Sequence, residues 1–302
     1  MAEERKLKIG LALGSGGAKG LAHIGCLKVL EEYGIKPDMI TGTSMGAIIG
    51  AGYALGYSAK HLENLARTSF IGNDIYGFDN FHFFHEGLIS RELIEPMYFS
   101  MVGNRHFEDC EIPFMALACD LEAGKEVHLT KGRLLEAIQA SSAIPVLFPP
   151  VFIDGKYMVD GAMINPTPVD YLRRHGMDVI IGVHTADPVC RQFISGIVWE
   201  KNYKKPTQLK VKKKSKLEQV KMNVKVIFEA LMRVVEITQE ANLRAVFIGA
   251  RPDIIVEPDT TKYSIMNFDE LESVVTSGEE AMRKKMESVL KVIEHKKKDL
   301  GL

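Results

Sequence analysis

Residues 40–57 read ITGTSMGAIIGAGYALGY, and within them Gly42-Thr43-Ser44-Met45-Gly46 fits G-x-S-x-G, the pattern that sets a serine on a tight turn between a buried strand and a helix. Such a turn presses backbone against backbone on both sides of the serine, which glycine tolerates without steric cost. Met39 and Ile40 supply the end of the strand. Ala47, Ile48, Ile49, Ala51, Tyr53, Ala54 and Leu55 supply a helix of small and apolar residues whose positive end is aimed at Ser44. Five glycines, with Thr and Ser, dilute the apolar character too far for a membrane span.

Upstream, residues 8–13 form an apolar run of strand length, followed directly by Gly14-Ser15-Gly16-Gly17-Ala18-Lys19-Gly20. Ile24, Leu27, Val29 and Leu30 then recur at helical spacing, and Gly34 is a natural stop. Strand, glycine loop, helix, strand, serine turn and helix, in that order, begin a parallel sheet with crossover helices.

Downstream, residues 56–110 read as less regular. Phe70, Tyr76, Phe78, Phe81, Phe83 and Phe84 crowd among Gly72, Asn73, Gly77 and Asn80, as a satellite cluster under a long loop or a cover lined for an apolar ligand. A helix with Ser90 as N-cap runs to about residue 101. Residues 114–119 read as a buried strand paired with 126–129, and residues 132–142 as a helix ended before Pro145. Two short strands flank the hairpin signal Asp154-Gly155. Asp160-Gly161-Ala162 and Asn165-Pro166-Thr167-Pro168 then make a second glycine-bearing turn past a strand. Another buried strand spans 179–184. Val224, Ile227, Leu231, Val234, Thr238, Ala241 and Ala245 mark the apolar stripe of a long helix. A short strand at 253–256 and an amphipathic helix at 268–293 close the chain.

With 302 residues and 46% of them hydrophobic, the chain can bury a large core. Its expected organisation is a catalytic core over 1–185, a lysine-rich insertion or linker over 186–225, and C-terminal helices with a short strand over 226–302 completing the same domain. A net charge of -1 gives no global argument for nucleic acid. Cys26, Cys110, Cys119 and Cys190 show neither C-x-x-C spacing nor a metal-ligand pattern with histidine, and read as reduced thiols of a cytoplasmic protein. No signal-peptide core or spanning length is present, so a soluble or peripherally attached protein is expected.

A serine hydroxyl at its ordinary pKa is a poor nucleophile, so acyl transfer needs a base and donors for the developing oxyanion. Gly16 and Gly17 can present backbone N–H groups from a loop that opens a helix. Asp160, at the end of its own strand, can accept the Ser44 proton.

Glycine loop, G-x-S-x-G serine and D-G-A in this order resemble the patatin-like phospholipase family, over roughly residues 9–169. Ala140-Ser141-Ser142-Ala143-Ile144-Pro145, Phe148-Pro149-Pro150, and Met158-Val159-Asp160-Gly161-Ala162 followed by Asn165-Pro166 extend the resemblance, and Asp253-Ile254-Ile255-Val256-Glu257-Pro258 adds a weaker part. The resemblance implies a three-layer α/β/α fold with a central, mainly parallel sheet and a helical C-terminal extension. It also implies a serine lipid acyl hydrolase with a Ser44–Asp160 dyad, an acyl-enzyme on Ser44, and no histidine, metal or cofactor in the chemical step. Gly16 and Gly17 hold the oxyanion in this reading. Lys19 stands where the family has Arg or Lys, and Gly20, Gly42, Gly46, Gly161 and Ala162 complete the motifs. Ser15 departs from the family, many members of which carry a third glycine; its backbone N–H remains available as a donor.

Other readings compete. A nucleotide P-loop needs Ser or Thr after its lysine, whereas Lys19 precedes Gly20; a dinucleotide loop would need glycine where Lys19 stands. A Ser-His-Asp esterase would recruit His175 or His184, which follow Asp160 in the order α/β-hydrolases use. A binding or adaptor protein of the same fold with little turnover is a third alternative. Lys201 and Lys225 bound a segment with ten lysines against two glutamates over residues 200–225, a solvated loop or a contact with an anionic membrane. The segment lacks the aromatic interleaving that nucleic-acid binding would ask for, Tyr203 standing alone among the lysines.

Overall fold

The protein is seen in a computed structural model that describes residues 5–71, 88–185, 216–266 and 268–302, with residues 216–232 described by their backbone alone. The aromatic run from Tyr76 to Phe84, Cys190 and most of the lysine-rich segment lie outside the described residues. The chain runs β1 (Ile9–Leu13), α1 (Ala22–Glu32), β2 (Met39–Thr43), α2 (Met45–Ala54), α3 (Ala59–Phe70), α4 (Arg91–Val102), β3 (Phe114–Asp120) and β4 (Lys125–Leu129). It continues through α5 (Leu134–Ser141), β5 (Val151–Ile153), β6 (Lys156–Asp160), α6 (Val169–Arg174), β7 (Val179–Val183), α7 (Lys216–Gly249), β8 (Ile254–Val256) and α8 (Leu271–Leu300).

The described strands form one sheet in the order β5-β6-β3-β2-β1-β7-β8, with β4 also on β3. β3, β2, β1, β7 and β8 are parallel; β4, β5 and β6 run antiparallel to their neighbours. Alternation along β1 builds the layers: Leu11 and Leu13 join the main core with α1, α2 and α8, while Ala12 faces Val169, Leu172 and Ile180 on the α6 side. The crossover after β1 passes through α1 on one face and leads to β2, whereas α6 leads to β7 from the other. β1 is therefore a topological switch, and its carboxyl end is where an open α/β sheet places its site.

β2 and β6 meet β3 at consecutive positions, Thr43 in register with Leu117 and Asp160 with Ala118. They share one edge of β3, because odd-numbered backbone groups serve both: Pro113 O accepts from Ile40 N, and Leu121 N donates to Tyr157 O. The strand ends carrying Ser44 and Asp160 thus abut.

Two sequence expectations change. Within the described parts of 56–110, residues 56–71 and 88–110, the chain is more regular than expected, for α3 is capped by Ser58, whose side chain accepts from His61 N at 3.2 Å, and buries Leu62, Ala66 and Phe70. The long helix is present, but where its side chains are described α7 turns the other way: Val234, Thr238, Ala241 and Ala245 are exposed, while Leu243, Val246 and Phe247 face the body, and the side chains of Val224, Ile227 and Leu231 lie outside the described ones. Polar anchors set this rotation, with Asn242 Nδ2 donating to Met163 O at 2.7 Å. Ser90 caps α4 by position, without a side-chain bond to the helix.

α8 crosses α1 at backbone contact. A Cβ on Gly25 would strike Val275 O, one on Gly278 would strike Ala22 O, and Cys26 Sγ donates to Gly278 O at 3.4 Å. Among the described residues, Cys26, Cys110 and Cys119 form no disulfide. Among the described residues, no helix is long and apolar enough to cross a membrane and no cluster of metal-ligating side chains forms.

Candidate active site

Ser44 occupies the turn between β2 and α2 with φ 57° and ψ -124°, a left-handed conformation rare for any residue but glycine. The turn is forced tight by its flanks: a Cβ on Gly46 would run into Leu13 O and Gly14 O, so α2 can start hard against β1 only with glycine there. Ser44 N donates to Ser141 Oγ at 3.0 Å, and Ser141 Oγ donates to Leu117 O at 2.6 Å. Ser141 therefore ties the serine turn to β3, a role its place in the A-S-S-A-I-P phrase did not disclose.

Ser44 Oγ donates to Asp160 Oδ2 at 2.7 Å, and Asp160 Oδ1 accepts from Ala162 N at 2.8 Å. Both side chains are buried, Ser44 at 4% exposure and Asp160 at 1%. Burial pushes the Asp160 carboxyl up to about 7, against the smaller downward pull of the Ala162 amide and the Ser44 hydroxyl. A carboxylate of that basicity is matched to taking a proton from a hydroxyl near neutral pH.

The glycine loop sits beside this pair, with Gly20 against the Met45 side chain. Ala18 N donates to Ile265 O at 2.8 Å and Lys19 N to Gly16 O at 3.1 Å. Ser15 N, expected to be available, donates to Pro166 O at 2.8 Å and is committed. Among the described residues the Gly16 and Gly17 amides have no acceptor, which leaves them as donors. Lys19 is buried within the short helical turn Gly17–Leu21.

The segment after Asp160 is stitched to the same strands. Gly161 and Ala162 lead into Asn165, whose carbonyl accepts from Thr43 Oγ1 at 3.1 Å, while Pro168 O accepts from Thr41 Oγ1 at 3.0 Å. Neither candidate histidine bonds Ser44 or Asp160: His175 Nδ1 bonds Tyr171 O at 2.8 Å on an exposed helix end, and His184 Nδ1 lies 3.2 Å from Thr167 Oγ1. Burial drops His184 to about 4, so at neutral pH it is uncharged.

The Patatin-like phospholipase pattern matches residues 11–173, from β1 through α6. An uncharacterized NTE family protein of Mycobacterium tuberculosis is 36% identical over 182 residues, covering 58% of this chain and 48% of that protein. A second from the same organism is 27% identical over 294 residues, covering 91% and 46%. Lysophospholipase NTE1 of Cryptococcus neoformans is 35% identical over 187 residues, 58% of this chain and 11% of its own length. The chain thus spans about half the length of its mycobacterial relatives and a small part of the fungal one. The crystal structure of VipD from Legionella pneumophila shares the fold, with a TM-score of 0.51 at 14% identity over 95% of this chain and 72% of that one. With that pattern lying over more than half of its length, the chain belongs to the patatin-like phospholipase family.

Proposed function

We propose that this protein is a serine lipid acyl hydrolase, of phospholipase, lysophospholipase or carboxylesterase type, working through a Ser44–Asp160 dyad. The observation that carries the reading is the buried 2.7 Å hydrogen bond from Ser44 Oγ to a carboxyl whose pKa is raised to about 7. Ser44 Oγ attacks the ester carbonyl carbon while its proton passes to Asp160. The carbonyl oxygen, now negative, takes hydrogen bonds from Gly16 N and Gly17 N, and each such donor is worth about 3 kcal/mol in the transition state. Collapse breaks the ester bond; the leaving alkoxide takes the proton from Asp160 and departs as the alcohol. Water then attacks the acyl-Ser44 carbonyl, giving its proton to Asp160, and collapse releases the carboxylic acid as that proton returns to Ser44. No base beyond Asp160 is required. The curated lysophospholipase name of the fungal relative supports a lipid ester as substrate.

The test pairs labelling with turnover. A fluorophosphonate should add to Ser44 in wild type and not in Ser44→Ala, and a panel of phospholipids, lysophospholipids and neutral esters should be hydrolysed by wild type, with Ser44→Ala and Asp160→Asn inactive. Failure of wild type both to label and to hydrolyse any ester would favour a binding protein of the same fold.

A further inference from the structure

The dyad leaves unexplained why the glycine loop is so fully bonded from beneath. Gly14 N donates to Val183 O at 2.9 Å and Ser15 N to Pro166 O at 2.8 Å. His23 Nε2 lies 2.7 Å from Gly14 O, and Thr185 Oγ1 donates to Ser15 O at 2.7 Å. Both backbone groups of Gly14 and of Ser15 are thereby taken. The next two amides, on Gly16 and Gly17, have no acceptor among the described residues.

Peptide planarity turns these bonds into aim. In a trans peptide the carbonyl of one residue and the N–H of the next point in opposite directions within one plane. Holding Ser15 O on the Thr185 hydroxyl therefore fixes where Gly16 N–H points. Gly16 O, held by Lys19 N at 3.1 Å, fixes Gly17 N–H in the same way. Thr185 is itself held, since Thr260 Oγ1 donates to its carbonyl at 2.8 Å. The contact also dictates the residue at 16, where a Cβ would collide with Thr185 Oγ1.

His23 supplies the second tie at a cost. It is wholly buried, and its Nδ1 has no partner among the described residues, so its only polar bond is the one to Gly14 O. Burial lowers it to about 4, so at neutral pH it is an uncharged ring whose Nε2 must carry the hydrogen facing that carbonyl. An apolar side chain would fill the space without orphaning a nitrogen, a penalty of the kind a purely structural position avoids.

We propose that Thr185 and His23 are positioning residues: Thr185 holds Ser15 O and with it the aim of the Gly16 amide at the oxyanion, and His23, through Gly14 O, anchors the peptide that precedes it so that the loop carrying the Gly16 and Gly17 amides does not shift. The inference rests on the acyl-hydrolase reading. Thr185 lies outside the 11–173 match that defines the family.

The test compares Thr185→Val, which keeps shape and loses the hydroxyl, with Thr185→Ser, which keeps the hydroxyl, alongside His23→Leu and His23→Gln. With a short-chain ester, Thr185→Val and His23→Leu should lose kcat by ~10- to 100-fold with KM little changed, part of what an oxyanion donor contributes. Thr185→Ser and His23→Gln should recover most of it. The decisive readout is a trifluoromethyl ketone bound to Ser44, followed by fluorine NMR. Weakened donors raise the pKa of its hemiketal hydroxyl by about one unit for a tenfold loss, and a purely structural role leaves it in place. Thr185→Val and His23→Leu proteins that melt like wild type and keep the wild-type hemiketal pKa would overturn the proposal. So would lost kcat at an unmoved hemiketal pKa, in whichever variants fold. Retained turnover in Ser44→Ala would instead overturn the reading beneath it.

Discussion

Ser44 and Asp160 stand 116 positions apart in the chain and 2.7 Å apart in space, hydroxyl to carboxylate. The proximity follows from strand register, since β2 ends and β6 arrives on the same edge of β3 at Leu117 and Ala118. Only the ionised form of Asp160 can take the proton, and its pKa is about 7. Under the proposed mechanism kcat/KM for a non-ionising ester should rise as pH is raised through about 7 and then level off. Asp160→Asn should lower it on the order of 10³-fold at every pH. A rate independent of pH from 5 to 9 would count against Asp160 as the base.

The same carboxyl should cost stability. Its folded pKa lies above its ordinary value of 3.8, so its contribution is fully present below that value and is lost as pH rises through about 7. Asp160→Asn, neutral throughout, should gain on wild type as pH rises, by up to on the order of 4 kcal/mol at pH 8, and the gain should shrink toward pH 4. Urea unfolding at the two pH values checks this, and an equal difference at both would refute it.

His23 and His184 act in the opposite sense. Each is lowered by burial to about 4 from an ordinary 6.5, so their stabilisation is present above 6.5 and is lost as pH falls through about 4. Wild type should lose stability on acidification through that window, and His184→Asn should flatten the slope. Denaturation midpoints measured from pH 4.5 to 7.5 give the comparison.

Backbone strain at Ser44 predicts a separable effect. With φ at 57°, Ser44 holds a conformation that costs a non-glycine residue about 1–3 kcal/mol. Ser44→Gly and Ser44→Ala should both abolish turnover, but the glycine variant should be the more stable by about 1 kcal/mol once the extra chain entropy of glycine is counted. Equal melting temperatures would show that the turn is unstrained.

The helix crossing offers a packing test. Gly278→Ala would push a methyl into Ala22 O at the α1–α8 contact, and the backbone cannot yield there without separating the helices. Overpacking of this kind should cost about 3 kcal/mol, while Gly301→Ala, at an open C-terminal position with φ at 70°, should cost about 1 kcal/mol. Thermal unfolding of the two variants distinguishes them.

Features written in local grammar were legible in the sequence. The strand before Gly14, the turn at Ser44, the hairpin at Asp154-Gly155 and the D-G-A turn each carry their own residues, and each formed where read. What depended on distant partners was not legible. The capped start of α3 at Ser58 was masked by the glycines and aromatics that follow it. α7 could be read as a helix, but its facing is set by Asn242 reaching Met163 O, a contact 79 positions away. Ser141, His23 and Thr185 carry no motif signature of their role, because each acts by hydrogen-bonding a backbone group that only folding brings near.

The turn that opens at Gly17 and the helix after it take their partners from far along the chain, Ala18 N finding its acceptor at Ile265 O and α1 its roof at Gly278. A ribosome must therefore have delivered α8 before this loop and helix can set. Until then a nascent chain carries Ser44 beside a loop lacking its last tether, so a premature stop anywhere ahead of α8 disables the surroundings of Ser44 as surely as one within them.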